Sequence, residues 1–321
     1  MDLMNKPVSS FSLSTLITGF LMGTADLVPG ISGGTVALLG GVYGRLLAAI
    51  SAVNAQALRL VLTGQWRAAW QHVDAGFLVT LLLGMVIALL GVAKAIHYLL
   101  DFHPIMMWSL FLGLIFTAGV MLLKALQQHK SLAIPFLFAG FMVSALLSQL
   151  PVQNAWHSVS GWQYLGLLLA GSIAVSAMIL PGISGSFILL LLGVYPFMIA
   201  SLASLNMSVL GVFVVGCVLG LLSFSRLISW LLKHYTGATM SALTGLMLGS
   251  ALKLWPWKYT LTYRFNSSGE QVPLLQENLW PWNYSALTGI DHELPMALVA
   301  TLVAVVLVVR FGQIKLQDLG Q

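Results

Sequence analysis

Charged residues are scarce in this chain of 321 residues: they make up 7% of it, against about 25% in an ordinary soluble domain. Hydrophobic residues make up 59%, and the mean hydropathy is +0.94. So few charges cannot cover the surface of a soluble domain, and the composition predicts a polytopic membrane protein. The chain has one cysteine, Cys217, which excludes an intramolecular disulfide.

Signatures of ATP-driven transport and of metal-dependent hydrolysis are also missing. The sequence has neither a Walker loop, Gly-x-x-x-x-Gly-Lys-Ser/Thr, nor a His-Glu-x-x-His motif. His97, Asp101 and His103 lie close together, but no Cys or Glu joins them at the spacing of a metal site. We therefore expect no cofactor, no metal and no enzymatic activity, and a gradient of protons, ions or the ligand itself as the energy source.

What the chain does contain is a duplicated pentad, Pro-Gly-Ile-Ser-Gly, at Pro29–Gly33 and again at Pro181–Gly185. The match continues to Tyr43 and Tyr195 at a constant offset of 152 residues, with 10 of 15 positions identical. Each copy interrupts an apolar segment. A duplicated helix break inside a membrane protein is typical of transporters with internal symmetry, and such backbone is tolerated only where it is buried in protein or lines a cavity.

The residues of the pentad predict a site for an anion. Proline ends a helix, and a following serine caps the next one. The start of a helix presents unpaired N–H groups and a partial positive charge, which favour phosphate or carboxylate. The alternative is that the glycines only allow close helix packing. The duplication favours a ligand, and the candidate binding residues are Gly30, Ser32, Gly33, Gly34, Thr35, Gly182, Ser184, Gly185 and Ser186.

Three charged residues near the breaks have two interpretations each. Asp26 is the only acid within an apolar segment, and it is either a proton-coupling carboxylate or a cap on the Ser-Gly-Gly amides. Arg45 and Arg226 either supply countercharge to a bound phosphate or anchor the chain at the cytoplasmic face. Lys94 and Lys253 are interpreted as side chains that extend outward to the headgroups.

The hydrophobic pattern predicts an all-α polytopic membrane protein with a single transmembrane domain, residues 1–321, made of two halves. Each half has one re-entrant helical hairpin and three transmembrane helices: residues 11–150 and residues 162–310. We expect an interfacial helix at about 51–75 in the first half and an outer polar loop at about 254–294 in the second. The predicted spans are 76–98, 105–123, 132–150, 208–224, 237–253 and 295–310.

Basic residues predict the orientation. With the N-terminus inside, ten Lys and Arg residues fall on the cytoplasmic side and four on the outer side, so both termini are predicted to be cytoplasmic. The net charge of +5 then reflects orientation and does not indicate nucleic acid. Three spans, an odd number, separate the two hairpins, so the halves would be inverted copies whose breaks meet near the bilayer centre.

Several segments resemble the PopT-type family of polyprenyl-phosphate translocases. They are Gly19–Thr35, Pro181–Tyr195, Gly245–Ser250 and Leu254–Trp257. The resemblance covers nearly the whole chain. It implies translocation of undecaprenyl phosphate across the bacterial inner membrane, which recycles the lipid carrier of cell-wall synthesis. Family members often have Tyr-Glu-Arg where this chain has Tyr43-Gly44-Arg45, a difference that would place any coupling role on Asp26.

A lipid phosphate also suits the residues, because the tail can stay in the bilayer while only the headgroup needs a path through the protein. The expected partners are thus a polyprenyl-phosphate lipid and the bilayer, without nucleic acid, and a homo-oligomer stays open. Two alternatives remain at this point. One is a membrane phosphatase acting on polyprenyl diphosphate, which would need an arginine and paired acids at the break. The other is a transporter of a small soluble anion.

Overall fold

The computed structural model describes residues 12–27, 32–128, 130–150, 156, 161–265 and 271–311. The chain begins with α1 (Leu13–Asp26), α2 (Gly33–Leu39) and α3 (Tyr43–Ser51). The axes of α2 and α3 differ by 117°. Two short helices follow, α4 (Ala55–Leu62) and α5 (Trp66–His72), in the place where the sequence predicts one interfacial helix. Gly64, with a φ of 73°, separates them.

Most of the remaining chain forms apolar helices of 7 to 28 residues. They are α6 (Ala75–Phe102), α7 (Pro104–Gln128), α8 (Ile134–Gln149), α9 (Gln163–Ile179), α10 (Gly185–Leu191), α11 (Tyr195–Ala203), α12 (Met207–His234), α13 (Thr236–Ser250) and α15 (Leu294–Phe311). Among the described residues, α6, α7 and α12 are long and apolar enough to cross a membrane, and each bent pair adds a candidate span. These helices agree with the prediction of a helical polytopic membrane protein.

Three of the predicted spans form helices that are shorter than α6, α7 and α12. The segments at 132–150, 237–253 and 295–310 form helices of 16, 15 and 18 residues. About 20 residues are needed to cross the hydrocarbon core along its normal. The chain ends α13 early, in a 3-10 turn at Ala251–Leu254, so the last residues of that predicted span are not α-helical.

The segment predicted as a polar loop, 254–294, is more ordered than a loop. It forms an antiparallel hairpin of β1 (Lys258–Phe265) and β2 (Gln271–Asn278), followed by α14 (Pro281–Thr288). The indole rings of Trp255, Trp257 and Trp280 contact one another edge to face, and Trp282 stacks on Trp280. The indole N–H groups of Trp255 and Trp257 donate to backbone carbonyls. The fold class is therefore helical with one two-stranded sheet.

The second half of the chain repeats the elements of the first. A shift of 152 residues carries α2 onto α10 and α3 onto α11 without any change in length. The bend between α10 and α11 is 107°, close to that of the first pair. Both α6 and α12 contain 28 residues, and a shift of 132 carries one onto the other. The difference between the two shifts is the α4–α5 segment, which has no counterpart in the second half.

Glycines at matching positions hold the same helix pairs together in both halves. Gly19 and Gly84 bring α1 against α6, and Gly171 and Gly216 bring α9 against α12. At each of these glycines a Cβ atom would collide with the backbone of the partner helix, so the close approach requires glycine. In the same way α15 packs on α7, and α8 packs on α13.

The two bent helix pairs differ in their contacts with the opposite half. The helix α2 contacts α9, whereas the equivalent pair, α10 and α1, is not in substantial contact within the described residues. In the first half, α3 packs along α12 of the other half. The counterpart of this pair, α11 and α6, is not in substantial contact within the described residues. The larger buried core accordingly includes α2, α3 and α12, whereas α11 packs in a separate, smaller cluster with Leu167, Val194 and Val209.

Candidate functional site

The two Pro-Gly-Ile-Ser-Gly breaks are in direct contact. The backbone N–H of Gly182 donates to the Thr35 hydroxyl at 3.0 Å, and the Ser32 hydroxyl donates to the carbonyl of Met178 at 2.9 Å. A Cβ on Gly34 would lie 2.6 Å from the carbonyl oxygen of Ile179. The starts of α2 and α10 are therefore neighbours although 152 residues separate them. Gly30 lies outside the described residues.

At the first break, the N–H groups that could hold an anion are bonded within the protein. The Gly33 N–H donates to Asp26 Oδ1 at 2.6 Å, and the Gly34 N–H donates to the Ser32 hydroxyl at 3.1 Å. The Thr35 N–H donates to the Ser32 carbonyl at 2.9 Å. Ser32 and Thr35 are almost completely buried. In this conformation the Asp26 carboxylate occupies the place of an anion and caps α2.

Asp26 has a second oxygen without a partner. Its Oδ2 is buried and accepts no hydrogen bond from the described residues. A buried carboxylate oxygen left unpaired is costly, because desolvation is not offset by a hydrogen bond. The geometry thus combines a cap with an unsatisfied oxygen, and both interpretations of Asp26 that the sequence raises have a structural basis.

The second break is more open. The hydroxyls of Ser184 and Ser186 are 2.8 Å apart, and Ser186 is exposed. The Ser184 hydroxyl does not cap α10, and no acid takes the place that Asp26 has at the first break, because Met178 is the equivalent residue. Gly182 has a φ of 83°, which glycine alone adopts without strain. A Cβ on Gly185 would lie 2.7 Å from the Ala174 carbonyl, so this turn packs tightly on α9.

A small cavity of about 20 Å³ lies against the second break. Such a volume admits about one water molecule, so a larger group needs the walls to separate. Four serines from three segments line it: Ser144, Ser148, Ser184 and Ser250. Lys253 also lines it, and its ammonium lies over the ring of Phe187. Sequence reasoning places Lys253 outward at the headgroups, but the structure places it inside the protein at the second break.

Lys253 has no acidic partner. The ion pairs of the described residues join Arg45 with Asp74 and His292 with Asp291, so the partly buried Lys253 has no countercharge from that part of the chain. A second lysine, Lys258, is near enough for its charge to act on Lys253. Its ammonium lies 3.9 Å from the centroid of the Trp108 ring, and burial lowers the pKa of Lys258 to about 8. Two neighbouring lysines without carboxylates favour a bound anion.

The two arginines that the sequence singles out lie elsewhere. Arg45 pairs with Asp74 through two nitrogens, at 2.6 and 3.1 Å, and its guanidinium lies 4.3 Å from the centroid of the Phe77 ring. Arg226 donates to the carbonyl of Val53 at 2.7 Å and so joins α12 to the end of α3. Neither lines the cavity at the second break. In this conformation the countercharge there comes from Lys253.

A larger groove adjoins this serine-lined cavity. It has a volume of about 600 Å³ and lies between α8, α9 and α12, with the start of α10 at one end. Leu147 and Ile183 line both spaces, so the groove continues directly from the cavity. A pocket lined by four serines and one lysine thus opens into an apolar groove, and the pair matches a molecule with an anionic head and a hydrocarbon tail. Among the described residues, no group of three His, Cys, Asp or Glu side chains could hold a metal ion.

Residues 22–272 match the model of the family described as undecaprenyl phosphate translocase-like. The chain belongs to the undecaprenyl phosphate translocase-like family. Two curated relatives carry the name polyprenyl-phosphate transporter. The protein from Vibrio cholerae serotype O1 is 43% identical over 296 residues, which cover 92% of this chain and 94% of the relative. The protein from Staphylococcus aureus is 31% identical over 262 residues, 78% of this chain and 88% of the relative. No solved structure matches the chain.

The expected resemblance to polyprenyl-phosphate translocases is therefore confirmed. The matched range of this undecaprenyl phosphate translocase-like protein contains both breaks, Asp26, Arg45, Arg226 and the two lysines. Sequence reasoning placed Lys253 at the headgroups and not at the site, although it lies between two of the motifs that carry the resemblance, Gly245–Ser250 and Leu254–Trp257. The signal available was a pair of lysines with no acid between Ser250 and Arg264.

Proposed function

We propose that this protein translocates a polyprenyl monophosphate, undecaprenyl phosphate, across the bacterial inner membrane, with both termini in the cytoplasm. The observation that carries the proposal is the side chain of Lys253, which has no acidic partner among the described residues and lines a cavity that opens into an apolar groove. The phosphate binds at the second break, where Gly182, Ser184, Gly185 and Ser186 provide hydroxyl and N–H groups beside Lys253. The names of the relatives support this choice of substrate.

The two halves act as inverted copies, each with one re-entrant hairpin. The matching helix lengths, the similar bends of 117° and 107°, and the matching glycine contacts support this arrangement. The packing of α2 and α3 on helices of the opposite half, which α10 and α11 do not repeat among the described residues, is what a transporter closed on one side would show. The contact of the two breaks gives the phosphate a short path from one half to the other.

The first break is the second site at which the phosphate binds along this path. Gly30, Ser32, Gly33, Gly34 and Thr35 receive the phosphate after Asp26 leaves the Gly33 amide. Proton uptake by Asp26 removes its charge, weakens its bond to that amide, and couples the step to a proton. Arg45 and Arg226 supply countercharge on the cytoplasmic side, once their contacts with Asp74 and Val53 open.

The proposed function is tested with the purified protein in liposomes that contain undecaprenyl phosphate. We expect protein-dependent movement of the phosphate between leaflets, measured by its accessibility to an added phosphatase, without release of inorganic phosphate in the absence of that enzyme. Phosphate release from polyprenyl diphosphate by the protein alone would instead indicate the phosphatase. Uptake of a soluble anion with no movement of the lipid would indicate the small-anion transporter. Either result overturns the proposal.

Replacing Asp26 with asparagine separates coupling from capping. The Asn carbonyl oxygen can still accept the Gly33 N–H, so the fold should remain, whereas alanine removes the cap at a cost of about 1 kcal/mol. We expect Asp26→Asn to lose the part of the pH dependence that the carboxylate contributes, because the side chain cannot take up a proton, while the phosphate monoester, with a second pKa of about 6, still titrates in both proteins. The measurement is the rate in liposomes across pH 5–9, and a pH profile equal to that of the natural protein would leave Asp26 as a cap alone.

A further inference from the structure

We infer that the groove between α8, α9 and α12 binds the first isoprene units of the lipid, so that the protein recognises the tail as well as the phosphate. The inference rests on the proposed function. It differs from the simplest view of lipid transport, in which the entire tail stays in the bilayer and only the headgroup contacts protein. The occupant to which the inference commits is the part of a polyprenyl chain next to its phosphate.

Continuity with the headgroup cavity is the first argument. Leu147 on α8 and Ile183 in the second break line both the cavity and the groove. In a polyprenyl monophosphate the first isoprene is joined directly to a phosphate oxygen. A phosphate held at Lys253 therefore places that isoprene at Leu147 and Ile183, and the next units enter the groove.

The chemical character of the wall is the second argument. Most side chains of the groove are apolar, among them Val143, Ile173, Leu180 and Phe224. Three serines also line it, but their hydroxyls are already used. Ser172 donates to the Gly216 carbonyl at 2.7 Å, Ser176 to the Ser172 carbonyl at 2.7 Å, and Ser223 to the Leu219 carbonyl at 2.6 Å. The hydroxyl protons of these three serines are therefore donated to the backbone and not to a ligand, so the groove suits hydrocarbon.

The origin and the size of the groove are the third argument. Gly171, Gly216 and Gly220 bring α9 and α12 together, while α8 packs on α13 and makes no substantial contact with α9 or α12 in the described part of the chain. The groove is the space that this packing leaves between α8 on one side and the α9–α12 pair on the other. Its volume of about 600 Å³ falls within the range of about 300–1,000 Å³ typical of small-molecule sites. It can therefore hold several isoprene units but not a long polyprenyl chain.

The test compares two probes that share the headgroup, dimethylallyl phosphate with one isoprene and farnesyl phosphate with three. Each competes with labelled undecaprenyl phosphate for the full-length protein in nanodiscs. Ligand concentrations are expressed relative to the nanodisc lipid, so that partition of the tail into the bilayer does not enter the comparison. For the natural protein we expect farnesyl phosphate to bind at least about tenfold more tightly on this scale, because its second and third isoprene units pack against the wall of the groove. Ser223→Phe and Ser176→Phe, which fill the groove with a ring, should reduce this ratio to about threefold or less, with the affinity for dimethylallyl phosphate unchanged.

The matched control is Leu169→Phe on α9, because Leu169 is 50% exposed and does not line the groove. It should keep the tenfold ratio. Ser223 is exposed at the groove, so its replacement decides the test if Ser176→Phe does not fold. A ratio that stays tenfold in Ser223→Phe overturns the groove while the proposed function stands. Binding of dimethylallyl phosphate that is equal in the natural protein and in Lys253→Gln overturns the headgroup site itself, and the tail inference with it.

Discussion

Lys253→Gln is expected to abolish transport of undecaprenyl phosphate while the protein keeps its fold. The ammonium of Lys253 lies in the cavity at the second break without an acidic partner in the described residues, so its charge is available to the ligand. Truncating one side of a buried charge pair costs about 2–5 kcal/mol, most of which appears in the dissociation rate. We expect a loss of affinity of at least about thirtyfold. The measurements are lipid binding in nanodiscs and translocation in liposomes.

The thermal stability of a second variant, Lys253→Met, distinguishes a ligand-binding lysine from a structural one. A buried charge without a partner destabilises a fold, so Lys253→Met should unfold at a temperature equal to or above that of the natural protein. Lys253→Arg keeps the charge and should keep part of the transport. The control is Lys94→Gln, an exposed lysine on α6 that should transport normally. Normal transport by Lys253→Gln, or a marked loss of thermal stability in Lys253→Met, would contradict the role assigned to Lys253.

Local signals in the sequence were sufficient to predict those features of the site whose residues are neighbours in the chain. Proline, glycine and a capping serine predict that a new helix begins after Ser184, and α10 begins at Gly185. The same reasoning predicts α2 after Ser32, whose hydroxyl accepts the Gly34 N–H. The cap formed by Asp26 was one of two interpretations from sequence, since a carboxylate seven residues before Gly33 can reach the start of the next helix only if the chain folds back there.

Contacts between distant segments were beyond local reasoning. Lys253 reaches the second break because α13 packs against α8 and because Gly182 lies on the backbone of Met247, and neither contact has a local signal. For Arg45 and Arg226 the sequence left anchoring and phosphate binding open, and the partners that they have here, Asp74 and Val53, also come from other segments.

The β-hairpin is a different case, because its signal was present. Tyr259, Leu261, Tyr263 and Phe265 alternate with more polar residues, which is the two-residue period of a strand. The segment is short and lies between tryptophan-rich flanks, and its composition was therefore interpreted as that of an outer loop at the membrane–water interface. The hairpin positions Lys258 beside Trp108, and the order of this segment is thus part of the electrostatics of the site.

Gly182→Ala is expected to abolish transport through geometry instead of charge. Gly182 has a φ of 83°, and a Cβ there would lie 2.8 Å from the Cα of Met247 and 2.9 Å from the carbonyl oxygen of Leu246. These are backbone atoms of α13, which cannot move aside as a side chain can. The methyl group would therefore push the second break away from α13. Such a shift would also break the 3.0 Å hydrogen bond from the Gly182 N–H to the hydroxyl of Thr35.

Gly64→Ala is the matched control, because Gly64 has a similar φ of 73° and a Cβ there would meet nothing within 4 Å. Both substitutions carry the left-handed backbone cost of about 1–2 kcal/mol, but only Gly182→Ala adds the collision. We expect Gly64→Ala to transport nearly normally, and Gly182→Ala to lose transport and to unfold at a clearly lower temperature. Equal behaviour of the two variants would mean that the contact between the breaks is not required, and the phosphate path through both halves would then have to be abandoned.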